Sequence, residues 1–256
     1  LEFLLDDWSK LSENLAADDW LLARAETHSD AVPEVLRVYR PSSWAVVVGR
    51  GSKVAGEVDV EHCTRQGLAV YRRHTGGAAV VLGPGCWVYS VLLDLRGRPS
   101  LRDLNRTHQF VMERIRAAAQ ALVPDQEVQV QGICDLTIDN RKCSGNSLRV
   151  ARDHVLYHGT LLVDFDLPLL ERCLRTPPRQ PAYRAERAHG SFVANLPWSR
   201  ETQDETTLWH DWCQELQRQW QTGAGTSAHV LCAEGREEVR QLAREKYENP
   251  QWIWAR

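Results

Sequence analysis

Lysine is scarce in this chain: of 31 basic side chains only four, at positions 10, 53, 142 and 246, are lysine. Lys142 precedes Cys143-Ser144-Gly145-Asn146, a run of mostly small residues that can admit a ligand. A lysine ammonium is compact and carries three rotatable donors, so it can approach a carbonyl oxygen and a phosphate oxygen together, which the planar arginine fork does less well. Such a charge stabilises the negative charge that develops on oxygen as an acyl group is activated or transferred. Upstream, Arg72-Arg73-His74 leads into Thr75-Gly76-Gly77-Ala78-Ala79 between two strand-like runs. Residues with little or no side chain let a ligand pack on backbone N–H groups, which suits a carboxylate, an acyl phosphate or an adenylate. Arg72 and Arg73 are neighbours on a strand, so their side chains point to opposite faces and only one can face the loop. Both Arg72 and Arg73 are therefore candidate substrate-binding residues, of which one can grip phosphate and the other is expected to be structural.

A third element, His158-Gly159-Thr160, heads an apolar strand and offers a small residue and two polar side chains to a pocket wall. His158 reads either as a binding residue or as a hydrogen-bonded core histidine. His154 and His158 share a strand face, but no third ligand accompanies them and no metal site is expected. The seven cysteines form no CxxC pair, so reduced thiols, mostly apolar fillers, are the expectation.

These residues need elements to position them. Apolar recurrence at helical spacing predicts a helix over 12–28, with Ser12 as its cap. Strands are expected at 35–40 and 45–50, joined by the turn Pro41-Ser42-Ser43. A short helix at 60–67 and strands at 68–73, 78–82 and 87–95 follow. Ser100 with Asp103 marks the start of a helix running to about 122. Further strands are expected at 127–131, 135–139, 148–150 and 155–163, and helices at 167–174, 201–221 and 235–247. The proline-rich stretch 176–197 should be an irregular surface excursion, and Arg179 to Arg184 within it reads either as a solvated loop or as a loop that touches the carrier or nucleotide. Trp209, Trp212 and Trp220 fall on one expected helix and should cover a core. Strand runs with interspersed helices, without regular βαβ alternation, indicate an α+β fold with a mixed β-sheet.

At 256 residues, 43% apolar, 25% charged and with a net charge of -3, the chain is an ordinary globule of one domain, with no basic face for nucleic acid. Its acidic start is unlike a signal peptide, and no stretch reaches the ~18 apolar residues of a membrane span, so no membrane partner and a cytoplasmic location are expected.

Taken together, Arg72-Arg73-x-Thr75-Gly76-Gly77, Asp135-x6-Lys142-x-Ser144-Gly145 and His158-Gly159-Thr160-Leu161-Leu162 resemble the lipoate-protein ligase and octanoyltransferase family. The likeness extends from 44–51 to the ending Lys246-Tyr247-Glu248-Asn249-Pro250-Gln251-Trp252. It implies a biotin-ligase-like α+β catalytic domain with a mixed sheet flanked by helices. It also implies transfer of lipoate or octanoate to a lysine of a lipoyl carrier domain, in a 2-oxoacid dehydrogenase subunit or a glycine cleavage H protein. In the ligase branch ATP and magnesium first make the acyl adenylate. Carried onto this sequence, Lys142 would contact the acyl carbonyl and the phosphate, and Arg73 with Gly76-Gly77 would line the acyl and phosphate pocket. Asp135 would orient the lysine or the adenylate.

The chain departs from that pattern in places. The third glycine of the usual Thr-Gly-Gly-Gly is Ala78, a common histidine is Leu82, Gly83-Pro84-Gly85-Cys86 replaces a more usual aspartate-containing turn, and Cys134 stands where ligases commonly have asparagine. The ending soon after Trp252 leaves no place for the accessory domain of some bacterial ligases, so an accessory subunit is a possible partner. The resemblance therefore has two enzymatic branches, an ATP-dependent ligase centred on Lys142 and an ATP-independent octanoyltransferase with Cys134 as nucleophile, beside a non-catalytic carrier-binding homologue.

Overall fold

The computed structural model describes residues 1–6, 8–27, 32–177, 179–201, 203–222 and 231–255. His28, Pro178 and Thr202, which fall within expected elements, lie outside them. The chain opens with β1 (Glu2–Leu5), too short to declare itself in the sequence, and α1 (Leu11–Thr27). β2 (Val35–Tyr39), β3 (Ala45–Val48), α2 (Val54–Glu57), α3 (Val60–Arg65), β4 (Ala69–Arg72), β5 (Val80–Leu82) and β6 (Cys86–Asp94) follow. α4 (Leu104–Leu122) is capped by Asp103, whose side chain accepts from the Arg106 N–H at 2.9 Å. Ser100, expected to start this helix, sits instead in the preceding 3-10 turn, Pro99–Arg102.

β7 (Gln129–Gln131), β8 (Asp135–Ile138), β9 (Arg141–Ser144), β10 (Asn146–Val150) and β11 (His154–Leu162) form the next run. The chain ends through α5 (Leu167–Cys173), α6 (His189–Phe192), α7 (Glu205–Trp220), α8 (Ala233–Leu242), a π-helical turn at Ala243–Tyr247 and α9 (Pro250–Ile253). Among the described residues no helix is long and apolar enough to cross a membrane.

The architecture is α+β, and its strands fall into three sheets. The largest has the order β1-β2-β6-β11-β10, with β1 and β2 parallel and the rest antiparallel. The second, β4-β3-β5, is also mixed, and the third, β7-β8-β9, is antiparallel. β2 and β3, expected as neighbours across a turn, do not pair. Every residue of both strands is buried. Strands buried along their whole length must pair their backbone N–H and C=O groups on both edges, and β2 settles between β1 and β6 while β3 settles between β4 and β5.

Strand alternation splits the core in two. Leu36 and Val38 face α4 and α7 with Tyr89, Trp87 and Trp212, while Val35 and Tyr39 face α1 with Val88 and Leu92. Arg37, between Val35 and Tyr39, therefore points into the α1 side with no exposure. There its Nε meets Asp6 Oδ2 at 2.5 Å, its Nη1 meets Asp18 Oδ1 at 2.9 Å and its Nη2 donates to Asn14 Oδ1 at 2.5 Å. Burial alone would push the Asp18 carboxyl up, but Arg37, then His158 and Ser90, outweigh it and hold the carboxyl at about 2. The helix that opens the fold thus carries a fixed negative charge into the sheet.

Candidate active site

Lys142 sits on a tight hairpin. Asp139 and Asn140, both left-handed with φ of 50 and 57, form the two-residue turn between β8 and β9. That Asp-Asn pair was the available signal for β9, which the strand pattern alone missed. Leu136 pairs with Ser144 and Thr137 with Lys142, so Cys143 is the extra residue of a bulge. Lys142 and Ser144 consequently line a cavity while Cys143 is buried in the core. Lys142 Nζ lies 2.7 Å from Asp135 Oδ1, and Tyr183 donates its hydroxyl to Asp135 Oδ2 at 2.7 Å. A Cβ on Gly145 would stand 2.9 Å from both Cε and Nζ of Lys142. Because the flexible end of a lysine can move aside, Gly145→Ala is expected to leave the melting temperature nearly unchanged. Displacing the ammonium should cut turnover about a hundredfold, read as a ratio of kcat values.

The glycine loop is held from within. Arg73 is buried, and it donates from Nη2 to the Gly76 and Ala78 carbonyls, from Nη1 to Val47 O at 3.1 Å and from Nε to Thr75 Oγ1 at 3.1 Å. Burial pulls its pKa down to about 10, against a smaller opposing effect of Glu57. Ser147 Oγ takes the Gly76 carbonyl at 3.0 Å and Ser52 Oγ the Gly77 carbonyl at 3.3 Å. Among the described residues nothing accepts from the amides of Gly76, Gly77 and Ala78, so the loop offers donors outward. Gly77 must be glycine: its φ is +88, and a Cβ would lie 2.8 Å from Arg73 Nη2. Ala78 keeps an ordinary φ, which explains why its methyl is tolerated.

Arg72 turns the other way, as alternation requires. It donates to the carbonyls of Gly49 at 2.8 Å, Ser52 at 2.9 Å and Trp252 and Ile253 at 3.0 Å, tying the chain's end to β4. It does not line the cavity, and the expectation that it binds substrate is corrected: backbone carbonyls take up its guanidinium.

His158 joins this loop to α1. Its Nε2 lies 2.7 Å from Thr75 Oγ1 and its Nδ1 lies 3.1 Å from Asp18 Oδ2. Asp18 accepts only, so a neutral His158 carries its proton on Nδ1 and accepts from Thr75. Arg37, Asp18, His158, Thr75 and Arg73 form one chain of contacts ending on the loop. Sequence reasoning missed Asp18 and Arg37. An acidic pair, Asp18-Asp19, on the mostly apolar α1 was the signal that could have found the first.

The cavity these elements enclose has a volume of about 210 Å³. Its deep part is apolar, with Leu15, Tyr39, Val47, Leu82, Val88 and Leu162. Elsewhere its wall carries Arg73, Lys142, Arg179, Arg184 and His189, and no carboxylate among the described lining residues. Ala78, Gly77, Ser144, Gly145, His158 and Gly159 also line it; Gly76 is exposed beside them, and Thr75, Asp135 and Cys134 are outside the lining. The surface excursion is irregular and exposed over much of its length, as expected, and it also roofs the cavity: Pro177, Arg179, Pro181 and Arg184 line it, and Ala194 N–H bonds Lys142 O at 2.9 Å beside a bridge from Val193 to Lys142. Arg184, only 3% exposed, donates from Nε to Arg187 O at 2.9 Å, while its Nη2 finds no acceptor among the described residues. A buried guanidinium N–H without a partner is costly, and an anionic ligand is what would satisfy it.

Cys134 is part-buried, its Sγ 3.4 Å from Asn146 O. Burial, then Asp135, push its thiol up to about 11 against the pull of Lys142, so at neutral pH it is protonated. Asn146 fills the space over Gly159, donating to Cys134 O at 2.6 Å and accepting from the Tyr89 hydroxyl.

The profile of the lipoyl protein ligase A/B catalytic domain matches residues 10–211. The chain belongs to that family. It is an enzyme of the ligase or transferase type, and the matched stretch contains Arg73, the glycine loop, Lys142, His158 and the roof. Within the family, octanoyltransferase LipM of Geobacillus kaustophilus is 25% identical, over 95% of this chain and 94% of its own length. A probable lipoate-protein ligase A of Mycoplasma genitalium is 27% identical over 72% of this chain, and the match spans about half, 52%, of that ligase. The fold is shared with a bi-partite lipoate protein ligase of Thermoplasma acidophilum, described with its E2 lipoyl domain, at a TM-score of 0.79 and 20% identity over 99% of this chain and 95% of that one. A lipoate-protein ligase A bound with ATP matches at a TM-score of 0.77 and 19% identity, over 99% and 98% of the two chains. Plasmodium falciparum LipL1 in complex with lipoate matches at 0.75 and 19%, over 100% of this chain and 74% of that one.

Proposed function

We propose that this family member is a lipoate-protein ligase that acts as one catalytic domain. It joins lipoate or octanoate to AMP and passes the acyl group to a lysine of a lipoyl carrier domain. The observation that carries this reading is the cavity wall, where Lys142, Arg179 and Arg184 gather beside an apolar recess with no carboxylate among the described lining residues. A medium-chain acid needs such a recess for its tail. Its carboxylate and a nucleotide's phosphates need such charges. A transferase that receives its acyl group as a neutral thioester needs one such charge for the transfer oxyanion, but has no free carboxylate or nucleotide phosphates to bind. The ATP-bound and lipoate-bound relatives of the same fold lend support.

In this mechanism the acid's carboxylate oxygen attacks the α-phosphorus of ATP and pyrophosphate leaves. The carrier lysine's amine then attacks the acyl carbonyl, AMP leaves and the amine proton is released. Lys142 reaches the acyl carbonyl oxygen and the α-phosphate, neutralising charge that grows at both steps. The amides of Gly76, Gly77 and Ala78 take phosphate oxygens, and Asp135 orients Lys142. Among the described residues no group of three or more His, Cys, Asp or Glu side chains could hold a metal, so magnesium would come with the nucleotide's phosphates rather than in a protein cage. An ATP-dependent reaction also fits a cytoplasmic setting.

The nearly full-length likeness to an octanoyltransferase keeps the rival branch in view. Cys134 disfavours it, being part-buried outside the cavity lining with its thiol raised to about 11. The test is the intact mass of a lipoyl carrier domain after incubation with this protein, lipoate, ATP and magnesium, beside a reaction with octanoyl carrier protein and no ATP. A lipoyl gain only with ATP is expected, and Cys134→Ala should give it at an unchanged rate. Gain only in the ATP-free reaction, abolished by Cys134→Ala, would overturn the ligase reading.

A further inference from the structure

Tyr183 has no part in the mechanism above, yet it is bonded to the residue that orients Lys142. It lies in a 3-10 turn of the roof, Ala182–Arg184, and holds Asp135 Oδ2 at 2.7 Å while Lys142 holds Oδ1 at 2.7 Å. We propose that Tyr183 is a positioning residue for Lys142: by fixing the second oxygen of Asp135 it sets the carboxylate plane, and the ammonium is aimed into the cavity only when this turn of the roof is seated. The inference rests on Lys142 acting at the acyl carbonyl, as proposed above.

A carboxylate held by one donor swivels, because the torsion to its terminal group is broad. Held on both oxygens by donors from different segments, it has one orientation left. The surrounding roof is built to keep Tyr183 in place. Arg187 donates from Nη2 to Tyr183 O at 2.9 Å, from Nε to Arg184 O at 3.0 Å and from Nη1 to Asn140 O at 2.9 Å, and Asn140 belongs to the turn of the hairpin that bears Lys142. The chain reaches that arrangement through Ala185 and Glu186, two consecutive non-glycine residues in left-handed conformation with φ of 49 and 59. Such a pair is retained only where the surroundings demand it. The phenol ring sits 5.3 Å from the Phe192 ring, and Gly132 leaves it room: a Cβ there would lie 3.3 Å from Tyr183 Cε1. Burial, then the neighbouring Asp135 charge, raise the Tyr183 pKa, so the hydroxyl remains a donor at any working pH.

The test is a double-mutant cycle of Tyr183→Phe and Asp135→Asn, measured in whichever wild-type reaction, ATP-dependent lipoylation or ATP-free octanoyl transfer, yields product. Tyr183→Phe keeps the ring and its packing. It is expected to lower kcat about tenfold with KM for the acid or acyl donor unchanged, since the apolar recess is untouched. The double variant should be no slower than Asp135→Asn alone, because the hydroxyl acts only through that carboxylate. Full kcat in Tyr183→Phe, or losses that multiply in the double variant, would overturn the proposal. Trypsin cleavage after Arg187, followed without substrate, gives a readout independent of catalysis: both single variants should be cut faster than wild type and the double no faster still. If wild type lacks ATP-dependent product but shows this pattern, the ligase reading fails and the link from Tyr183 to Asp135 stands; cleavage unchanged in both variants overturns the link itself.

Discussion

Lys142→Ala is expected to abolish lipoylation of the carrier domain while the protein still folds. Lys142 is the ammonium on the cavity wall, 2.7 Å from Asp135 and close against Gly145. Loss of one preorganised stabiliser of transition-state charge costs about 10²–10³ in kcat, and here the same group serves both the adenylation and the transfer step. Arg73 does not replace it, since its donors are already committed to Val47, Thr75, Gly76 and Ala78. Stability should change by no more than about 1 kcal/mol, because the Lys142 side chain is part-exposed and Asp135 keeps its bond from Tyr183. The check is carrier mass gain beside a thermal melt of the same preparation. A variant with wild-type turnover would end the assignment of Lys142, and a variant that fails to fold would make the lysine structural.

The second large effect is on stability. Arg37→Met leaves Asp6 and Asp18 buried without the guanidinium that compensates both. Breaking a buried ion pair from one side costs about 3–5 kcal/mol, a large fraction of the ~5–15 kcal/mol that holds a typical domain together. A drop in melting temperature on the order of 10 °C follows at neutral pH. The acid dependence has a definite sign. Asp18 in the folded protein is held at about 2, below its ordinary value of 3.8, so its contribution is fully present above 3.8 and is lost as pH falls through about 2. That contribution is about 2 kcal/mol. In Arg37→Met the largest opposing charge is gone and burial raises the carboxyl, so the gap between variant and wild type should narrow steadily from pH 7 to pH 2.5. Denaturant midpoints at several pH values measure this; a gap constant across the range would contradict the ion-pair account.

Much of the site was legible before any coordinates. The glycine loop, Lys142 and His158 stand out through their combined motifs, and strand alternation correctly requires Arg72 and Arg73 to part company. Alternation could not say which of them faces the loop. That depends on β4 lying beside β3, with the carbonyls of Gly49 and Ser52 on one side and the chain's end, at Trp252 and Ile253, closing over it. The roof shows a related limit: prolines at 177, 178, 181 and 197 announce irregular backbone, but not whether it lies over solvent or over a cavity. Cys134 shows the same limit. The sequence offers it as a candidate nucleophile, and the burial that raises its thiol against the pull of Lys142 is a property of the packed state.

The order of amino acids was enough to specify most of the elements, the small-residue loop, one of four lysines in a chain written mostly with arginine, and the family. Those features are local, being periods, turn residues and short motifs that act within a few positions. Folding alone decided which guanidinium clamps the loop, which thiol stays protonated, that Asp18 reaches His158 across 140 positions, and that the proline-rich stretch roofs the cavity. Each of these depends on which distant groups exclude water from one another, and solvent exclusion exists only once the sheets and helices have closed around it.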